Sequence, residues 1–229
     1  MRTRDLMLGT LFLAAIAVLG AGQSFVERTG VVRAQSGVQA PRFEVDPLWP
    51  KPLPNHWVMG MTIGVAVDAR DHVFIVHRPG SVSAGESPAA NGNAEECCEA
   101  APPILEFDPA GNLVGSWGGP GEGYEWPESN HGLAFDHRGN LWIGGNGAND
   151  AHILKFTRNG QFVAQFGRSG ANGGSHDREN FGRVAKVFVD ALENEVYVAD
   201  GYGNRRVAVL DADSGEFKRY WGAYGNRPD

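Results

Sequence analysis

The stretch GLAFDHRGNLWIGGNGANDAHILKFTRNGQFVAQFG, residues 132–167, decides the fold. It holds four short β-rich runs: Gly132-Leu-Ala-Phe-Asp136, Leu141-Trp-Ile143, His152-Ile-Leu-Lys-Phe156 and Phe162 to Phe166. Polar turns separate them, with Gly139-Asn140 in the first and Arg158-Asn-Gly160 in the last. Short runs of this content joined by Gly/Asn turns are the mark of tight hairpins, and no helical period runs long enough to compete. The same order recurs on both sides. Upstream it reads Gly64-Val-Ala-Val-Asp68, Val73-Phe-Ile-Val76, Ile104-Leu-Glu-Phe107 and Leu113 to Trp117. Downstream it reads Lys186-Val-Phe-Val-Asp190, Val196-Tyr-Val198, Arg206-Val-Ala-Val-Leu210 and Phe217 to Trp221. Each unit closes on an aromatic-Gly pair: Trp117-Gly118, Phe166-Gly167 and Trp221-Gly222.

Four strands per unit, repeated in one phase, predict an all-β chain folded as a β-propeller. The blades are expected at about 62–118, 131–167 and 184–222, within a partial propeller over 41–229. The first blade is longer because residues 79–102 interrupt it between its second and third strands. Residues 198–207, VADGYGNRRV, resemble the NHL repeat signature, in which an Asp, an Asn and an Arg brace the turn between strands two and three. Asp200, Asn204 and Arg206 are therefore read as structural. Phe43-Glu-Val-Asp46 to Trp57 is read as the source of one outer strand of a further blade. Propellers close with roughly four to eight blades. Three are complete here, of an expected six. The chain is accordingly expected to be part of a longer one rather than an arc that pairs with a second copy, and three blades alone are expected to be inactive.

The N-terminus sets the expected compartment. Arg2 and Arg4 precede an apolar run from Leu6 to Ala21, followed by small residues. This is the layout of a secretory signal peptide over 1–22, with an uncleaved anchor as the competing reading. Residues 23–40 read as a flexible linker. The protein is thus expected to be exported, periplasmic or extracellular, with no stable membrane span after cleavage. A formal charge of −7 without any basic run argues against nucleic acid as a partner. A small-molecule or peptide substrate remains, and nothing in the sequence marks an oligomeric state. The only cysteines, Cys97 and Cys98, sit among Glu95, Glu96 and Glu99. Being neighbours, they cannot staple distant segments. A strained vicinal disulfide, a bond to another chain, free thiols and a metal cluster are the alternatives, and a solvent-exposed acidic loop accounts for the segment.

Strand alternation places the start of strand one, the end of strand two and the start of strand three on one rim. Three residues outside the repeat fall there: Arg78 after strand two of the first blade, His131 before strand one of the second, and Tyr202 after strand two of the third. At the His131 phase the other blades carry Ile63 and Ala185, so the imidazole is not part of the repeat. Imidazole is a common zinc donor, yet a catalytic zinc takes about three protein ligands. The arginine and tyrosine are suited to orienting a carboxylate and moving a proton, or else are rim decoration. His56, His72, His77, His137, His152 and His176 are expected to be solvated or capping.

From about Gly64 to Gly222 the chain resembles the peptidyl-α-hydroxyglycine α-amidating lyase family. GVAVDARDHVFIVHR (64–78), NHGLAFDHRGNLWI (130–143) and VYVADGYGNRRV (196–207) carry the resemblance. It implies Arg78 as partner of the substrate carboxylate, His131 as a zinc ligand and Tyr202 as the proton-transfer group. It also implies a structural calcium on the backbone carbonyls of Val65 and Leu133. The implied reaction cleaves a carbinolamide to a primary amide and glyoxylate, with zinc binding the substrate hydroxyl. In that family two cysteines bridge the positions that are Gly182 and Gly203 here, so one staple beside Tyr202 is missing. The remaining zinc histidines and a second arginine lie in blades this chain lacks. The alternative function is a non-catalytic NHL propeller binding a peptide, glycan or protein.

Overall fold

The computed structural model describes residues 40–86, 98–224 and 227–228. The signal peptide read at 1–22, nearly all of the linker at 23–40, and Cys97 with much of the 79–102 insertion lie outside the described residues. The chain divides into two units, Met1–Asp46 and Pro47–Asp229. Of the first, residues 40–46 are described, and they are exposed and without regular structure. The outer strand expected from Phe43 onward is therefore not formed over Phe43–Asp46.

The second unit is built almost wholly of strands. They are β1 (Trp57–Val58), β2 (Met61–Val67), β3 (Val73–Arg78), β4 (Glu99–Ala100), β5 (Ile104–Phe107), β6 (Leu113–Trp117), β7 (Asn130–Phe135) and β8 (Leu141–Gly145). There follow β9 (His152–Phe156), β10 (Phe162–Gly167), β11 (Lys186–Asp190), β12 (Glu195–Asp200), β13 (Arg206–Asp211), β14 (Phe217–Trp221), β15 (Ala223–Tyr224) and β16 (Arg227–Pro228). Three four-stranded antiparallel sheets result: β2-β3-β5-β6, β7-β8-β9-β10 and β11-β12-β13-β14. These are three propeller blades. Their first strands β2, β7 and β11 lie against one another, so each chain segment runs outward from a common inner edge. No helix among the described residues is long and apolar enough to cross a membrane.

Burial follows from that layering. β5 and β9 are buried along their whole length because neighbouring layers cover both faces, whereas the outermost β10 and β14 are half exposed. Phe74, Val76 and Ile104 of the first blade pack on Leu133, Leu141, Ile143, Leu154 and Phe156 of the second. Trp142 and Ile153 of the second pack on Val187, Val196, Val198 and Leu210 of the third. Each such side chain contributes about 1.5–3 kcal/mol through burial, so the blade interfaces, more than the ladders, hold the array together. The far side of the first blade, with Ile75, Leu105 and Phe107, is covered by Trp49, Leu53 and Trp57. There β1 pairs in parallel with β4, in place of a strand of a further blade. Cys98 is disulfide-bonded, with its partner outside the described residues.

Charged clamps cross the blades on the side of the turns that join strands one to two and three to four. Arg158 of the second blade donates to Asp68 (2.7 Å) and to Glu106 of the first (3.2 Å from Nη1). Burial alone would raise the Asp68 carboxyl, but Arg158 and the N–H groups of His72 and Arg70 hold it down at about 2. Between the second and third blades, Lys155 donates to the carbonyl of Ala212 at 2.9 Å.

His77 shows what burial does to a polar side chain in this fold. It is fully buried at the end of β3, its Nδ1 accepting from Gly60 N–H (3.1 Å) and its Nε2 donating to Pro102 O (2.9 Å). Burial lowers its pKa below the usual 6.5, against the backbone bonds from the Pro102 side, which raise it. The unfolded chain therefore takes up this proton first. The stability tied to neutral His77 is complete above pH ~6.5 and lost as the pH falls toward the depressed folded value. Unfolding free energy of the wild type should fall by up to about 1.4 kcal/mol per pH unit more steeply below pH ~6.5 than that of His77→Gln. Parallel curves in urea melts between pH 7.5 and 5 would exclude the effect.

Candidate functional site

The rim opposite those clamps is organised from beneath by buried acids. Asp200, the last residue of β12, is fully buried and accepts from Gly182 N–H (2.6 Å), Asn204 Nδ2 (2.8 Å) and Arg206 Nε (2.8 Å). Arg206, itself buried, donates onward to the carbonyls of Ser175 (3.0 Å), Asn180 (2.7 Å) and Asp177. The polar groups at the exit of strand two are thus satisfied internally, as burial requires. In the second blade Asp150 has the same task, accepting from Glu128 N–H (2.8 Å), Ser129 N–H (3.1 Å) and Gly147 N–H (2.6 Å).

This bracing presents Tyr202, which is 52% exposed. The N–H of Gly203 donates to Gly182 O at 2.7 Å. A Cβ added at Gly203 would lie 2.8 Å from that oxygen. The two positions bridged by cysteines in the resembled family are adjacent here, and a backbone hydrogen bond joins them.

His131 enters from a β-bulge. The β7–β8 register slips between His131 and Leu133, and the extra residue, Gly132, has φ +63. A side chain at Gly132 would be strained in the left-handed region and would sit 2.8 Å from Ala185 O. The bulge turns His131 toward the third blade, where Nδ1 lies 2.7 Å from Ala185 O. A carbonyl only accepts, so Nδ1 carries the proton and Nε2 of the neutral ring is left as an acceptor. Tyr202 Oη stands 3.3 Å from that Nε2, with the rings edge to face at 5.4 Å.

Arg78 closes β3 on the same rim. Its Nε donates to the carbonyl of Asn130, the residue before His131 (3.2 Å), and its Nη2 to Asn146 Oδ1 (2.8 Å). Asn130 Nδ2 returns a bond to His77 O at 2.8 Å. Nη1 makes no hydrogen bond among the described residues. The structure thus brings His131 and Tyr202 into direct contact and ties Arg78 to the backbone beside them. A cavity of about 440 Å³ adjoins Arg78 and Asn130, lined in part by Trp126, Pro103 and Pro127.

The metal expectations find partial donors. His131, with Nδ1 fixed by a carbonyl, has the geometry of an oriented ligand. No group of three or more His, Cys, Asp or Glu side chains suited to a metal occurs among the described residues, so His131 is one donor where a catalytic zinc takes three. Val65 and Leu133 occupy matching ladder positions in β2 and β7, opposite Ile75 and Ile143. Their two carbonyls fall short of the six to eight oxygens of calcium.

Of the solvated or capping roles expected of the other histidines, the solvated one fails for two, whose ring nitrogens bond backbone carbonyls. His77 and His152 are buried, the latter with Nε2 2.6 Å from Glu125 O. Both sit on β-strands covered from two sides, so alternation with apolar residues did not mean alternation into solvent. Sequence reading missed Asn146, which follows β8 at the same phase that Arg78 closes β3. It also missed Arg183, in the linker between blades, where no repeat phase exists to single it out.

No family model matches the chain, and no curated protein matches it. Among solved structures, virginiamycin B lyase from Staphylococcus aureus aligns at 14% identity with a TM-score of 0.44, covering 72% of this chain and 42% of that one. A streptogramin B lyase aligns at 13% identity and TM-score 0.40, over 73% and 56%. A chain of the nidogen/laminin complex aligns at 15% identity and TM-score 0.39, over 74% and 67%. The chain spans less than half the length of the virginiamycin B lyase it matches. Similarity of this degree concerns fold and not activity.

Proposed function

We propose that this rim binds a carboxylate-bearing small molecule or peptide terminus and cleaves a carbon–nitrogen bond without water. The substrate class is a peptidyl-α-hydroxyglycine, and the products are a peptide amide and glyoxylate. The observation that carries the reading is the pair formed by Tyr202 Oη and His131 Nε2 at 3.3 Å, with the far nitrogen of the imidazole anchored on Ala185 O.

The reaction needs one proton moved twice. The substrate hydroxyl loses its proton as its oxygen forms the aldehyde carbonyl. The C–N bond breaks with its electrons on nitrogen, which then takes up a proton. Tyr202 can accept from the substrate while its own proton passes to His131 Nε2, and the reverse transfer protonates the departing amide nitrogen. Ala185 O keeps the proton on Nδ1, so Nε2 is the nitrogen that takes and returns the other. Arg78, with Nη1 uncommitted, can hold the carboxylate through a charge-assisted bond. The family resemblance implies a zinc on His131 and a calcium on the carbonyls of Val65 and Leu133. The zinc would take the Nε2 that the relay uses, so the relay and that ligand role are alternatives for His131, and the calcium would stand apart from the proton transfers. The same proposal places the protein outside the cytoplasm, on the signal-like N-terminus.

The complete polypeptide as its host makes it, given an N-acyl-α-hydroxyglycine, should release glyoxylate and amide in equal amounts. Loss of one charge-assisted bond in Arg78→Gln should raise KM about tenfold or more. A folded wild type that releases no glyoxylate would remove the lyase reading and leave a propeller that binds a partner.

A further inference from the structure

Seven guanidinium and ammonium groups among the described residues sit against a carboxylate, Arg70 and Lys218 among them. Arg158 pairs with Asp68 and Glu106, Arg206 with Asp200, Arg219 with Glu195, Arg138 with Asp213, and Lys155 with Asp136. Three cations around His131 do not. Arg78, Arg183 and Lys186 have no acidic side chain within salt-bridge distance among the described residues, in a chain whose formal charge is −7.

Their placement is coordinated. Arg78 and Arg183 meet on a single residue, Asn146: Arg78 Nη2 donates to its side-chain oxygen (2.8 Å) and Arg183 Nε to its backbone oxygen (2.9 Å). Arg183 uses no other side-chain nitrogen in a hydrogen bond among the described residues, so both of its terminal nitrogens remain, as does Nη1 of Arg78. Lys186 runs past the bulge, its Cδ 3.6 Å from where a Cβ on Gly132 would stand. Arg183 is exposed and has φ +67, a conformation that a long L side chain adopts only at a cost and that surrounding structure must impose. The hydrogen bond from its N–H to Asp150 O (2.9 Å), beside the Gly182–Gly203 contact, imposes it. Glu128 lines the same cavity as Arg78 but makes no salt bridge to any of the three, and like charges left without such partners favour ligands of the opposite sign.

We infer that the rim recognises a ligand with two anionic groups: one carboxylate on Arg78, and a second acidic group on Arg183, assisted by Lys186. The inference shares the assignment of Arg78 with the proposed function but does not depend on the lyase chemistry. A single carboxylate would be served by Arg78 alone and would leave two cations unmatched. Arg183 is a specificity-determining residue in this scheme. Within the proposed function it selects substrates with an acidic group beyond the hydroxyglycine carboxylate.

The test is an NMR titration of the complete protein with succinate, glutarate and acetate. One of the two dicarboxylates should bind at least tenfold more tightly than acetate, with a steeper loss on adding salt. Arg183→Gln should bring that dicarboxylate down to the affinity of acetate and leave acetate unchanged, while Arg78→Gln should weaken every ligand. Arg183→Gly, which suits φ +67, should lose the same selectivity with a melting temperature no lower than wild type, separating the guanidinium from the backbone. Equal binding of dicarboxylates by wild type and Arg183→Gln would overturn the inference, with the role of Arg78 intact. If Arg78→Gln also left acetate binding unchanged, the rim reading itself would fall.

Discussion

Tyr202→Phe is expected to slow glyoxylate release by about 10²–10⁴-fold, the range for loss of a positioned acid–base group. The substitution removes one oxygen from a side chain that is half exposed and leaves the ring contact with His131 in place. Stability should stay within about 0.5 kcal/mol of wild type, as for surface changes in general. The imidazole would keep its tautomer, because that is fixed by Ala185 O rather than by the phenol. The expected pattern is therefore a fall in kcat with KM nearly unchanged, since Arg78 still holds the carboxylate. A variant that retained full kcat would show that the phenol is not in the proton path, whatever else the rim does.

Asp200→Ala should have the largest effect on stability, about 3–5 kcal/mol, because it leaves Arg206 as a buried cation without a partner. Three donors converge on this one carboxylate, and the salt bridge to Arg206 is closed to solvent on both sides. Against a usual total of about 5–15 kcal/mol, such a loss takes a large share of the stability. Replacing the pair together, Asp200→Leu with Arg206→Met, should cost less than the single change. Two apolar groups leave no stranded charge, although the carbonyls of Ser175, Asp177 and Asn180 lose their donor. Urea midpoints of the three proteins decide it; a single variant within about 1 kcal/mol of wild type would mean that water replaces the carboxylate. The change should also loosen Tyr202 and Arg183, since Asp200 holds the loop and the linker that carry them.

The blades could be read from the chain because each strand pair is local. Gly132-Leu-Ala-Phe-Asp136 and Leu141-Trp-Ile143 are joined by a turn whose Asp136 caps Arg138 and Asn140 N–H, so hairpin and turn chemistry agree. The common rim of Arg78, His131 and Tyr202 was equally legible, as parity along antiparallel strands dictates it. Other features depend on contacts between blades and carry no local signature. The buried states of His77 and His152 follow from layers that cover β3 and β9 from both sides. Asn146 matters because an arginine of the first blade and one of the linker before the third both reach it, and Arg183 because the carbonyl of Asp150 fixes its backbone. From Phe43 the chain stays irregular until β1 begins at Trp57, and that strand pairs with β4 rather than with the sheet of a blade.

By itself the sequence determined the repeat, the strand order within each blade and the edge on which the unusual polar residues emerge, since these depend on chain direction and side-chain parity. Only the tertiary structure decided that the imidazole faces a phenol rather than a strand of its own sheet, and that two guanidinium groups share one asparagine. The physical reason is that a bulge of one residue, Gly132, rotates a side chain by an amount that no periodicity records, and that charges from separate blades meet only after the apolar faces between them have packed.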